Sequence, residues 1–177
     1  VFVRATTDDT RLKLYRDVLA VFKSILSSGL EAYGIDTEAV IIKNTVDKNV
    51  NRAPLIVLER GDMQHVPRSL MFGEKITADL VAGTMNSHTA HMIEYPIEIT
   101  CYGNSYLESE KLGGLAMEAI LTTGLAIIKQ MHPNIIGSEF IGWGKSGLVE
   151  GKDSSLVSCT VLGKVFLKIE GYYSIQN

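Results

Sequence analysis

Between residues 90 and 102 the chain alternates with a period of two. His91, Ile93, Tyr95, Ile97, Ile99 and Cys101 share one side; Met92, Glu94, Pro96, Glu98, Thr100 and Tyr102 share the other. This predicts a strand with the first side facing a core and the second a mixed environment. Pro96 has no amide to give to a ladder, so the strand lies at an edge, carries a bulge, or points Pro96 away from its neighbour. Gly103-Asn104 breaks it. Ser105 and Glu108 then fit a capping box, in which the Ser105 hydroxyl accepts from the Glu108 amide and the Glu108 carboxylate reaches back to the Ser105 amide. From there the period changes. Leu112, Leu115, Ala116, Met117, Ala119, Ile120, Leu121, Leu125, Ile127 and Ile128 leave only Glu110, Lys111, Glu118, Lys129 and Gln130 strongly polar before Pro133. So narrow a wet face predicts a helix covered twice, by its own sheet and by a second helix or another subunit. Gly113, Gly114 and Gly124 each cost about 1 kcal/mol against Ala, tolerable where a neighbour comes close.

Upstream, Thr6 or Thr7 ahead of Asp8-Asp9 marks a helix start, with acids at the positive end of the dipole. Tyr15, Val18, Leu19, Phe22, Ile25, Leu26 and Tyr33 recur at spacings of three and four, and Arg11, Lys13, Arg16 and Lys23 fall elsewhere. This predicts an amphipathic helix with one buried face, stopped by Gly34. Residues 39–46 read as a strand with Val40 and Ile42 on one face. Residues 54–60 read as a stronger one, whose unbroken Leu55, Ile56, Val57 and Leu58 predict cover on both faces. Residues 61–89 hold Gly61, Pro67, Gly73, Gly83 and Asn86-Ser87 with no sustained period. Such a stretch predicts a long hairpin arm or ordered loop that leaves the core and touches a partner. Residues 135–151 are rich in glycine, interrupted by Phe140, Ile141 and Trp143. Alternation returns over 155–175 with Val157, Cys159, Val161, Val165, Leu167 and Ile169, and Gly163-Lys164 reads as a turn or bulge between two pairing segments. The sum is one α+β domain over residues 1–177: a mostly antiparallel sheet packed against two main helices, with an extended arm over 61–89.

A length of 177 residues suits one domain. The net charge of -3 does not suggest a protein that grips nucleic acid by neutralising phosphates. No run reaches the ~18 uncharged apolar residues of a membrane span. Val1-Phe2-Val3-Arg4 shows no signal pattern and no initiator Met, so a few residues are expected to precede it. Cys101 and Cys159 both fall at inward strand positions; they read as buried free thiols in a reducing compartment, with a disulfide allowed but not implied.

Motifs with chemistry are sparse. Gly144-Lys145-Ser146 has Glu139 where a phosphate loop needs its first glycine, and reads as a turn. Arg60-Gly61-Asp62 ends a strand and reads as a turn. His88 and His91 lack a nearby third ligand, and a strand would point them to opposite faces. His65 and His132 are isolated. No nucleophile–base–acid set, paired-cysteine motif or dinucleotide fingerprint is present. The expectation is no enzyme, no catalytic residue, no cofactor and no metal.

The order of elements carries a resemblance. Arg52-Ala53-Pro54 leads into a strand. Pro96-Ile97-Glu98-Ile99-Thr100-Cys101-Tyr102-Gly103 feeds the helix that begins Ser105-Tyr106-Leu107-Glu108-Ser109-Glu110-Lys111-Leu112, and closing strands end the chain. Over most of its length this resembles the tail terminator, or tail-completion, proteins of long-tailed bacteriophages, in which an Arg-x-Pro lead-in and a Pro-Ile-Glu-Ile-x-x-Tyr-Gly type of strand ahead of an acidic first helical turn are common. The resemblance implies a structural virion protein, assembled in the host cytoplasm and resident in the neck. It implies a homo-oligomeric, hexameric ring that caps the tail tube protein, stops its polymerisation and offers a docking face to head–tail connector proteins. DNA would pass through the lumen without sequence-specific binding, and no membrane is involved.

On that reading, contact residues are expected in the arm, at Met63, His65, Arg68, Leu70, Phe72, Lys75 and Met85, and in the glycine-rich segment, at Phe140, Trp143 and Lys145. Two alternatives stay open. One is a head-completion or head–tail connector protein of similar build. The other is a small hydrolase-like enzyme with a site assembled from His88, His91, Glu94 and Glu98.

Overall fold

The computed structural model describes residues 2–4, 8–42, 53–66, 74–79, 83–121, 134–149 and 156–176. In chain order the elements are β1 (Phe2–Arg4), α1 (Asp8–Ala32), a short 3-10 turn (Thr37–Ala39), β2 (Val40–Ile42), β3 (Leu55–Arg60), β4 (Gln64–Val66), β5 (Glu74–Asp79), β6 (Thr84–Gly103), α2 (Tyr106–Leu121), β7 (Ile135–Trp143), β8 (Gly147–Leu148) and β9 (Val157–Gln176). The expected α+β architecture is present: two helices and a mostly antiparallel sheet.

The frame is a pair of strands. β6 and β9, each 20 residues long, pair antiparallel without a break, from Thr84 opposite Gln176 to Gly103 opposite Val157. At ~3.4 Å per residue such a ladder is about 65 Å long. Its flanks are built from short strands in succession. Along the free side of β6 run β3, β4 and β5; along the free side of β9 run β8, β7 and β1. β2 adds to β3 in parallel.

Both helices lie on one face, over one end of this ladder. Val18, Phe22, Leu26 and Leu30 of α1 and Leu112, Ala116, Ala119 and Ile120 of α2 close over Ile56 and Leu58 of β3, Tyr95, Ile97, Ile99 and Cys101 of β6, and Cys159, Val161, Val165 and Leu167 of β9. The register explains the shared face: Ile56 is opposite Cys101 and Leu58 opposite Ile99. α1 ends as Gly34 predicts. With Gly34 at φ 70°, its amide donates to Glu31 O and the Ile35 amide to Leu30 O, each at 3.0 Å, the paired bonds of a Schellman cap. Tyr33, expected on the buried face, lies past the end of the helix and is exposed.

α2 starts on the expected cap, with one shift. The Glu108 amide donates to Ser105 Oγ at 3.2 Å, but the Glu108 carboxylate accepts from Asn104 rather than Ser105. The second cover of α2 comes from within the chain. It is α1, whose Gly29 leaves room for Leu115: a Cβ on Gly29 would stand 2.8 Å from the Leu115 side chain. Gly113 has the role foreseen for it, since a Cβ there would stand 2.6–2.8 Å from the Trp143 indole. Gly124 lies outside the described residues, as do 122–132 of the expected helix and 43–46 of the expected second strand.

Pro96 sits in a central strand, not an edge. The Gly61 amide donates to Pro96 O at 3.0 Å. An antiparallel residue directs its N and O to the same side. The missing amide therefore faces the interruption between β3 and β4, and the β9 ladder stays whole. Gly163 is likewise no turn. It lies inside β9, opposite Ile97, because Ile120 and Glu139 O crowd the place where a side chain would stand. The glycine-rich segment 135–143 is a strand with two bulges, at Ile135/Gly137 and Phe140/Gly142.

Candidate interaction surfaces

Of the arm expected over 61–89, β5 and the first residues of β6 pair as an antiparallel hairpin, and residues 67–73 and 80–82 lie outside the described residues. Its described parts are β4, β5 and the first residues of β6, all added edge-on to the long ladder. Beyond the described parts of the helices, no described element covers the same face. No described residue of 84–94 belongs to the core. His91, expected to face it, is exposed, although Ile169 opposite it on β9 is buried.

On this stretch of the face the register gathers a small apolar group. Ala78 is opposite Met85, Ile76 opposite Ser87, and β6 residues of odd number share the face of Tyr95 and Ile97. Ile76 and Met85 are therefore diagonal neighbours, 57% and 47% exposed, on the face that carries the helices farther along the ladder. β5 has no strand on its outer side among the described residues.

The opposite face of the ladder is polar and organised across strands. Lys164 Nζ of β9 lies 3.5 Å from Glu94 of β6 and 3.5 Å from Glu139 of β7, and 5.7 Å from the Phe166 ring centroid. Farther along, Glu170 lies 2.5 Å from Lys168 Nζ and 3.6 Å from His88 Nε2. The hydrogen bond from Lys168 holds the Glu170 carboxyl below its ordinary range.

The residues expected to make contacts divide between two ends of the molecule. Met85 and the backbone of Lys75 lie in the β5–β6 hairpin, with Lys75 opposite His88. His65 is in β4, opposite Ile93. Met63 and Phe140 are partly buried and pack against the core. Trp143 is 38% exposed and rests on Gly113 of α2, and Lys145 beside it is exposed. Arg68, Leu70 and Phe72 lie outside the described residues. Sequence reasoning missed Ile76 and both ion-pair groups. The charges were visible as wet-face residues, but only the β6–β9 register shows which of them meet.

For chemistry the surfaces offer little. Among the described residues no group of three or more His, Cys, Asp or Glu could hold a metal. His88, Glu94 and Glu98 are strung along one face of β6 and His91 points to the other, so the four do not converge. No described helix is long and apolar enough to cross a membrane. The chain matches no protein-family model and no curated protein sequence.

Proposed function

We propose that the chain is a structural subunit of a phage neck: a ring-forming tail terminator that caps the tail tube, stops its growth and presents a docking face to the head–tail connector. The observation that carries this reading is the continuation of the helix-bearing face that no described helix covers. An exposed Ile76–Met85 pair beside a β5 edge that no described strand pairs is a surface suited to adding a strand or a side-chain layer from another chain. A ring contact is heterologous, one patch against a different one, and a ladder dressed differently at its two ends supplies two such patches. The mild net charge of -3 suits a lumen through which DNA slides. In α2, α1 packs against Leu115, and Tyr106, Leu107 and Leu121 stay exposed.

Native mass measurement with negative-stain imaging tests the reading. Wild-type protein forms closed rings, and the double substitution Ile76→Glu/Met85→Glu yields a folded monomer. A wild-type chain that stays monomeric at high concentration, or a double variant that assembles unchanged, overturns it.

A further inference from the structure

The helix-covered end holds one group of polar side chains that the structural role does not use. Cys101 and Cys159 stand directly opposite each other on β6 and β9, both on the face beneath α2 and both buried as free thiols. Around them a chain of hydrogen bonds closes on itself. The Cys101 thiol bonds to Cys159. Cys159 Sγ donates to Ser109 O at 3.2 Å, and Ser109 Oγ donates back to Cys101 O at 3.3 Å. Ser109 is the buried polar residue of α2, fully enclosed. The Ser146 hydroxyl and the Trp143 indole, from the β7–β8 side, complete the surroundings of the Cys159 sulfur.

The backbone fixes what this pair can do. Thr160 O accepts from the Gly144 amide at 2.7 Å, so Thr160 is directed away from β6 and its neighbour Cys159 towards it. Pro96 O accepts from Gly61 on the β3 side, so even-numbered residues of β6 point there and Cys101 points to β9. The two cysteines thus occupy a hydrogen-bonded pair, with a Cα separation of about 5.5 Å. That matches the commonest Cα separation across a disulfide, about 5.5–6 Å. The Cβ atoms of such a pair stand about 5 Å apart and must draw in towards ~3.8 Å, so the bond would be strained and easily reduced.

We propose that Cys101 and Cys159 form a reversible cross-strand disulfide site that reacts with low-molecular-weight disulfides of the glutathione type. Cys159 is the attacking sulfur. The hydrogen bond from the Cys101 thiol lowers its pKa against the opposing effect of burial, and the same bond raises that of Cys101. The Cys159 thiolate attacks one sulfur of the small disulfide and expels one thiolate, leaving a mixed disulfide on Cys159. Cys101 then gives up its proton to that thiolate, attacks the Cys159 sulfur and expels the second thiol. Two protein thiols are oxidised by two electrons and one small disulfide is reduced to two thiols. Cys159 is buried, so the small disulfide reaches it only when the β7–β8 side, where Trp143 lies near its sulfur, opens.

The test is intact mass measurement of the native full chain after equilibration in glutathione disulfide, followed by thiol trapping in denaturant. The sequence holds only two cysteines, so an intramolecular bond has one identity. The expected product, read in denaturant, is a chain not cross-linked to another that has lost two hydrogens, takes up no trapping reagent and returns to the starting mass in reduced glutathione. Cys101→Ser is expected to stop at a lasting glutathione adduct on Cys159, and Cys159→Ser to stay unmodified at Cys101. An unchanged mass overturns the proposal. So does oxidation that requires denaturant, a lasting adduct on the wild-type chain, or a bond between two chains.

Discussion

The β6–β9 ladder has two halves made by the same two strands in the same register, and they behave differently. In the half from Tyr95 to Cys101, opposite Cys159 to Val165, the inward positions are closed by α1 and α2 and are almost wholly buried. In the half from Met85 to His91 no described helix residue closes over the same face: Met85 and His91 are exposed and Ser87 is half-buried, and only Ile169, opposite His91, is buried among the described side chains. Backbone pairing is continuous through both. The difference therefore lies in what covers the strands, not in whether strands form. A ladder supplies hydrogen bonds anywhere, but the hydrophobic contribution comes only where a second layer removes apolar area from water.

The largest test of that contrast is a pair of truncations on one face. Ile99→Ala removes a fully buried side chain from beneath the helices and is expected to cost about 2–5 kcal/mol. Ile76→Ala removes a side chain of the same type that is 57% exposed and is expected to change stability by less than about 0.5 kcal/mol. Urea unfolding of the isolated chain gives both. Equal costs would mean that the bare half is covered in solution and would remove the contrast.

The contrast was partly legible in the amino acids. Inward positions of β6 read Tyr95, Ile97, Ile99 and Cys101 in the covered half, but Met85, Ser87, Thr89 and His91 in the bare one. That loss of apolar character marks where the described core ends. Period-two reasoning nonetheless carried His91 into the core, because alternation reports the pleat and is silent about the layer above. The cap of α2, the stop at Gly34 and the close approach at Gly113 were readable because each depends on a few adjacent residues. Two features were not. Gly163 resembled a turn because its reason, the crowding by Ile120 and Glu139, comes from elements distant in sequence. The union of Lys164 with Glu94 and Glu139 needs three strands in register before any of those charges has a neighbour.

A test of intermediate size uses pH in the covered half. Burial raises the Tyr95 hydroxyl from 10.0 to about 12, against a small opposing pull from Arg60. The folded value exceeds the unfolded one, so the neutral phenol stabilises the fold fully below pH 10 and that contribution is lost as pH rises towards the folded value. Two pKa steps correspond to about 2–3 kcal/mol. Alkaline unfolding followed by circular dichroism should therefore show a transition that Tyr95→Phe shifts upward or removes. A profile unchanged by the substitution would place the alkaline limit elsewhere.

The smallest effect belongs to the bare half. The hydrogen bond from Lys168 is the main cause of the lowered Glu170 pKa, with help from the charge of Lys168 and from His88. Here the folded value lies below the unfolded one. The contribution is present above the ordinary carboxylate pKa and fades as pH falls through the folded value. Glu170 is about one-third exposed, so solvent screens the interaction and global stability should scarcely register it. Amide hydrogen exchange around His88 and Lys168 is the appropriate measurement. Protection there is expected to fall on acidification in the wild type and to be low and flat in Glu170→Gln, while amides from Ile97 to Cys101 stay unaffected. If acid loosened both halves together, the ladder would open as one unit, and the separation drawn between its covered and bare ends would not extend to its dynamics.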